Sequence, residues 1–192
     1  DFLNIVDPDW KATQTIAPES LTAAPLSSTS IEVSWMPIIY TGDSGGYRVF
    51  YSETSGGGYT LFDTTTDKTV SQMEVTGLNP ETTYNFVVQT WTDPHADNQN
   101  MVESEFSEKV VATTNTVKED IDGLGSDVED MDLPGGLQNS LTKKLDNTIK
   151  SLEKARDNAA VNQLEAFMKQ VEAKRGKNLT DEEANALLET AQ

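Results

Sequence analysis

A chain of 192 residues with 32 acidic and 14 basic side chains carries a formal net charge of −18, and 36% of it is hydrophobic. That acidity disfavours nucleic acid phosphates and anionic lipid as partners. The absence of cysteine removes disulfides, thiol chemistry and thiolate metal sites, and no apolar run approaches the roughly 18 residues of a membrane span.

Charge and aromatic content both break along the chain. Residues 1–115 hold 16 acids and 4 bases, residues 116–132 hold 7 and 1, and residues 133–192 hold 9 and 9; Phe167 is the only aromatic beyond residue 106. A break of this kind predicts separate modules: an N-terminal arm (1–17), a β module (18–115), an acidic linker (116–132) and a helical module (133–192). The chain opens on Asp1, as expected of a processed product or a piece of something longer.

The arm contains Phe2, Leu3, Ile5, Val6 and Trp10. A segment this apolar is expected to pack on its own domain or a preceding one, or to be donated as a strand to a neighbouring subunit, which would make homo-oligomers.

From Glu19 to Thr114 short β-prone runs alternate with turn residues, the pattern of a sandwich. The runs are expected near Ser20–Ala24, Ile31–Trp35, Tyr47–Tyr51, Tyr59–Asp63, Val70–Val75, Tyr84–Trp91 and Ser107–Thr113, seven in all. Ile31, Val33 and Trp35 share one face, as do Tyr47, Val49 and Tyr51, so each strand has one buried side. The same alternation sends Arg48 and Phe50 outward, with Val87, Gln89 and Trp91 outward on the partner strand. Arg48, Phe50, Val87 and Trp91 therefore form a candidate partner surface, unless the arm, linker or helices cover it.

The loop from Thr92 to Ser104 has no Arg-Gly-Asp, and its Asp93, Asp97 and Asn98 fall short of the six to eight oxygens of a calcium cage. A solvated loop is the expected reading, with no metal. His95, the only histidine, is expected to be solvated, and it leaves no companion set for a triad. Paired carboxylates would need a cleft with opposed environments. The expectation is a non-enzyme without cofactors.

In the linker, Asp120-x-Asp122-Gly123 lacks the subsequent calcium-loop spacing, and the stretch is expected to be extended and self-repelling. After Pro134-Gly135-Gly136 the apolar period becomes helical. Leu137, Leu141, Leu145, Ile149 and Leu152 mark one stripe, Ala160, Val161, Leu164, Phe167, Met168 and Val171 a second, and Ala184, Leu187, Leu188 and Ala191 a third. Asp157 is the expected N-cap of the second helix, Gly176 its stop, and Thr180-Asp-Glu-Glu183 a capping box that opens the third. Asn178-Leu179-Thr180 also spells a glycosylation sequon, though the cap explains the same letters. Three helices are expected to share one small core.

Two resemblances follow from these residues. Gly77-Leu78-Asn79-Pro80-Glu81-Thr82-Thr83-Tyr84 resembles the Leu-x-Pro-x-Thr-x-Tyr signature of fibronectin type III domains. It gives Leu78, Pro80 and Tyr84 structural roles as base plug, turn and tyrosine corner, with Trp35 in the core. Leu133-Pro-Gly-Gly-Leu137 through Leu145, followed by Ala160 through Leu179-Thr180, resembles the FIMAH domain, whose members stand at the C-terminal ends of secreted or surface proteins of bacteria and archaea, often polysaccharide-degrading enzymes. Together they imply a non-catalytic accessory, spacer and interaction region of a prokaryotic extracellular or cell-surface protein, with a protein or cell-surface partner. The alternatives are a self-assembling surface or filament subunit using the arm, and a carbohydrate-binding module in which Phe50 and Trp91 stack on polysaccharide.

Overall fold

A computed structural model describes residues 13–191; the arm residues Phe2, Leu3, Ile5, Val6 and Trp10 lie outside them. The chain divides into two compact units between Thr114 and Asn115.

The first unit is a two-sheet antiparallel sandwich. Strands β1 (Glu19–Pro25), β2 (Ile31–Met36) and β5 (Gln72–Val75) form a three-stranded sheet in the order β1-β2-β5. Strands β4 (Thr60–Thr64), β3 (Gly45–Ser52), β6 (Thr83–Thr92) and β7 (Val102–Glu103) form the other, with β8 (Val110–Thr113) also paired to β6. Among the described residues eight strands stand where seven are expected, because a short strand, β7, forms within the stretch read as the loop from Thr92 to Ser104. Between β7 and β8 the chain stays against β6 through two serines: the Ser104 N–H donates to the Thr90 carbonyl at 2.9 Å while its Oγ accepts from the Thr90 N–H at 3.0 Å, and the Ser107 N–H and Oγ do the same with Val88, both at 2.9 Å; the hydroxyls thus stand in for the carbonyl half of each pair. These side chains substitute for regular ladder bonds, so pairing is kept while strand geometry is lost.

Alternation sets the core as expected. Ile31, Val33, Trp35, Tyr47 and Val49 are buried together with Val75, Phe86 and Val88, and Tyr51 packs against them from a half-buried position. Tyr47 spans the core and uses its hydroxyl twice, accepting from the Ile38 N–H at 2.8 Å and donating to the Lys68 carbonyl at 3.1 Å. Without those partners a buried phenol would be costly. Leu78 is buried behind the turn, Gly77 adopts a left-handed φ of 74°, and Tyr84 Oη accepts from the Asn79 N–H at 2.9 Å. The residues from Leu78 to Tyr84 thus close a tyrosine corner.

The second unit has four helices, not three: α1 (Val117–Asp130), α2 (Gly135–Leu152), α3 (Asp157–Lys174) and α4 (Asp181–Thr190). The acidic stretch expected as an extended linker is α1. Its acids face water, while Ile121, Leu124 and Val128 recur at three- and four-residue spacing and are buried with Leu137, Leu141, Leu145, Phe167, Val171 and Leu187. Fully burying such aliphatic side chains contributes about 1.5–3 kcal/mol each, which outweighs the ~1 kcal/mol helix cost of Gly123 and of Gly125. A capping box of Thr116 and Glu119 starts α1, and Gln138 Nε2 donates to the Val128 and Glu129 carbonyls at its end, at 3.2 and 2.8 Å.

Two further expectations are corrected. Asp157 is the first residue of α3, not its cap: Arg156 holds the cap position without a side-chain bond. Val161 is 55% exposed, because α3 turns only the Ala160, Phe167 and Val171 edge fully to the core. Gly176, at φ 68°, ends α3, and Thr180 with Glu183 forms the expected box on α4.

Three outcomes follow. Tyr84→Phe should cost about 1–2 kcal/mol, read as a fall in the denaturant midpoint with unchanged slope, because it strands the Asn79 N–H. A fragment of residues 133–192 should lack a cooperative melt, whereas residues 115–192 should show one, since only the latter carries Ile121, Leu124 and Val128. Hydrogen bonds from the Thr180 backbone and hydroxyl hold the Glu183 carboxyl below its ordinary value. Its contribution is therefore present above the unfolded value of about 4.3 and lost as pH falls through the lower folded value. Melts from pH 7 to 3 should show the stability gap between the parent chain and Glu183→Gln closing below about pH 4.

Candidate interaction surface

The outward face of the larger sheet is fixed by the register of its two central strands. Gly46 pairs with Trp91, Arg48 with Gln89, Phe50 with Val87 and, across β4, Phe50 with Leu61. Directly paired residues point the same way, so Arg48, Phe50 and Trp91 share this side, as the alternation predicts.

The structure does not bring them together in the expected manner. Val87 is 3% exposed and contributes no surface. It is the shortest side chain of its row, and its register partner Phe50 is half-buried under another ring: Phe106 meets Phe50 edge-on at 5.1 Å between centroids, and Tyr59 packs on Phe106 at 5.7 Å. The Arg48 guanidinium lies over the Trp91 ring at 5.8 Å, donates to the Glu103 carboxylate and comes within 3.6 Å of Met101 Sδ. One side of the Trp91 ring is therefore occupied, and Phe50 pairs with Phe106, not with Trp91. Phe50 and Trp91 are thus engaged by different neighbours.

Four apolar side chains that sequence reasoning missed are exposed on this sheet: Phe106 at 44%, Leu61 at 46%, Met101 at 48% and Val111, the register partner of Asn85, at 51%. Leu61 was legible, since it is the register partner of Phe50. Phe106 was not, because it falls between the loop that ends at Ser104 and the run expected from Ser107, in what is the irregular segment between β7 and β8. Among the described residues of this unit the bases are Arg48, Lys68 and Lys109, and Lys109 donates to Ser55 Oγ at 2.8 Å near the same face. An aromatic cluster with an arginine at its rim, on an otherwise acidic unit, has the composition of protein contact surfaces.

The loop end that carries Asp93, Asp97 and Asn98 gathers different chemistry. His95, expected to be solvated, has its Nε2 3.5 Å from Asp43 Oδ2, and Tyr40 donates its hydroxyl to the same carboxylate. That hydrogen bond, with partial burial and the nearby charges of Asp43 and Asp97, raises the Tyr40 phenol above its usual value. Lys68 is buried with its ammonium 4.4 Å from the Tyr40 ring centroid and without a hydrogen-bond partner. Burial lowers its pKa, against the opposing pull of Asp43 and Asp93. Among the described residues no group of three or more His, Asp or Glu side chains is placed to hold a metal ion.

Comparison with known proteins places both units. Residues 16–110 match the fibronectin type III domain model, and residues 115–192 match the FIMAH domain model. Among solved structures, a Fn3-like protein from Clostridium thermocellum is 24% identical over 53% of this chain and 95% of its own, with a TM-score of 0.42. The sixth fibronectin type III domain of human fibronectin type III domain containing protein 3 is 22% identical over 54% and 88%, with a TM-score of 0.41. No curated protein matches the chain. By these matches residues 16–110 belong to the fibronectin type III domain family and residues 115–192, directly after them, to the FIMAH domain family.

Proposed function

We propose that this chain is a non-catalytic accessory region of a prokaryotic secreted or cell-surface protein, in which the sandwich serves as spacer and protein contact and the helical unit as attachment or interaction module. The succession of a fibronectin type III domain and a FIMAH domain carries this reading. The contact is assigned to the outer face around Phe106, Phe50, Leu61 and the Arg48–Trp91 pair. Edge-on rings and an arginine engaged by Glu103 suit a protein surface, whereas sugar stacking needs open, flat ring faces.

The test is retention of the fluorescently labelled chain on intact prokaryotic cells and on insoluble polysaccharides. Retention is expected on cells and is expected to vanish after protease treatment of the cells. Phe106→Ser should weaken it about 30-fold, the effect of losing a central contact of ~2 kcal/mol, while the melting temperature stays within a few degrees, because Phe106 is 44% exposed. Retention that resists protease and follows the polysaccharide would replace this reading with the carbohydrate-binding one. Hydrolysis of a polysaccharide by the purified chain would overturn its non-catalytic part.

A further inference from the structure

With the outer face of the larger sheet taken as the protein contact proposed for it, the charges around that face define the kind of partner it fits. Leu61, Phe50 and Val87 stand in register on three strands, and Val111 lies opposite Asn85, two residues from Val87. Directly paired residues share a side, so an apolar strip crosses β4, β3, β6 and β8 over about 14 Å. Phe106 stands edge-on to Phe50 within this strip, and Leu61, Phe106 and Val111 are its exposed members.

The charge left open around the strip is of one sign. Residues 13–114 hold 13 acids and 3 bases, and each base is already engaged or covered: Arg48 by Glu103 and the Trp91 ring, Lys109 by Ser55 Oγ, and Lys68 by burial. Glu105 and Glu108 flank Phe106 in the segment that joins β7 to β8. Both are exposed, and among the described residues no hydrogen bond or ion pair engages either carboxylate. A partner laid against Phe106 therefore comes within reach of two uncompensated negative charges. An anionic partner would set like charges together, and a wholly apolar one would strip water from the carboxylates without replacing it. A lysine or arginine would supply the charge-assisted hydrogen bonds that both carboxylates lack.

We propose that the partner of this face is a cationic protein segment, with apolar side chains laid over Leu61, Phe106 and Val111 and lysines or arginines beside them that meet Glu105 and Glu108.

Two fluorescent peptides with the same leucine and phenylalanine core, one flanked by lysines and one by glutamines, are the probe, titrated with the full chain. The parent should bind the lysine-flanked peptide at least tenfold more tightly at about 50 mM salt, and the preference should shrink to about twofold at about 500 mM, where charges are screened beyond roughly 4 Å. Glu105→Gln with Glu108→Gln should remove most of the preference. Glu32→Gln with Glu74→Gln, the same change of charge on a cross-strand pair of the other sheet, should leave it, which separates the rim from the general negative field. Phe106→Ser should weaken both peptides at least fivefold. Binding that needs Phe106 but is equal for the two flanks, a preference that falls as far in the control pair as in the rim pair, or no binding of either peptide would overturn the cationic partner while leaving retention on cells to stand or fall separately. Lysine-flanked binding that Phe106→Ser leaves unchanged would overturn it as well, and with it the assignment of the contact to this face.

Discussion

Strands β3 and β6 pair along eight residues, from Gly45 against Thr92 to Ser52 against Asn85, and this one ladder determines both sides of the larger sheet. On the inner side it stacks Tyr47, Val49, Phe86 and Val88 into the core; on the outer side it presents Arg48, Phe50, Gln89 and Trp91. A one-residue slip would exchange the two sets and bury an arginine. The Tyr47 hydroxyl locks the register further, because its bonds to Ile38 and Lys68 tie the ladder to two loops. The candidate surface is thus the reverse of the core, and both rest on the same register.

On that reverse side the side chains interact mainly with one another. Arg48 is shared between the Trp91 ring, the Glu103 carboxylate and the Met101 sulfur, and Phe106 folds over Phe50. Exposed ion pairs contribute only about 0–1 kcal/mol, so these contacts order the surface more than they stabilise the fold. An ordered aromatic surface loses little freedom when a partner covers it. The exposed edge consequently moves outward, from Val87 to Leu61, Met101 and Phe106.

The helical unit depends on closure. Helices α2, α3 and α4 leave part of their apolar surface open, and α1 covers it with Ile121, Leu124 and Val128. Below about 70–80 residues a hydrophobic core supplies only a few kcal/mol, so one additional helix is a large fraction of the total. Two capping boxes, Thr116 with Glu119 and Thr180 with Glu183, satisfy amides at the first and last helices. Between α2 and α3, Lys144 donates to Gln170 Oε1 at 2.5 Å and Ser140 Oγ donates to the same oxygen at 3.1 Å, a polar tie that fixes the pairing of the two longest helices.

Features that depend on neighbours along the chain are legible in the residues alone. Alternation through Ile31, Val33 and Trp35 and through Tyr47 and Val49 gave the strands their inner faces, the Leu78-x-Pro80-x-Thr82-x-Tyr84 spacing gave the corner, and Leu137 to Leu145 and Thr180 to Glu183 gave two helices, because each is a local geometric requirement. Where composition and period disagreed, composition misled. Seven acids hid the stripe of Ile121, Leu124 and Val128, since charge reports what faces water, while three apolar residues at helical spacing suffice to dock a helix. That Val87 is covered, that Phe106 is displayed and that His95 approaches Asp43 emerges only from the folded chain. Each of these depends on residues distant in sequence meeting in space, and side-chain size and competition for partners there are not encoded in any local pattern.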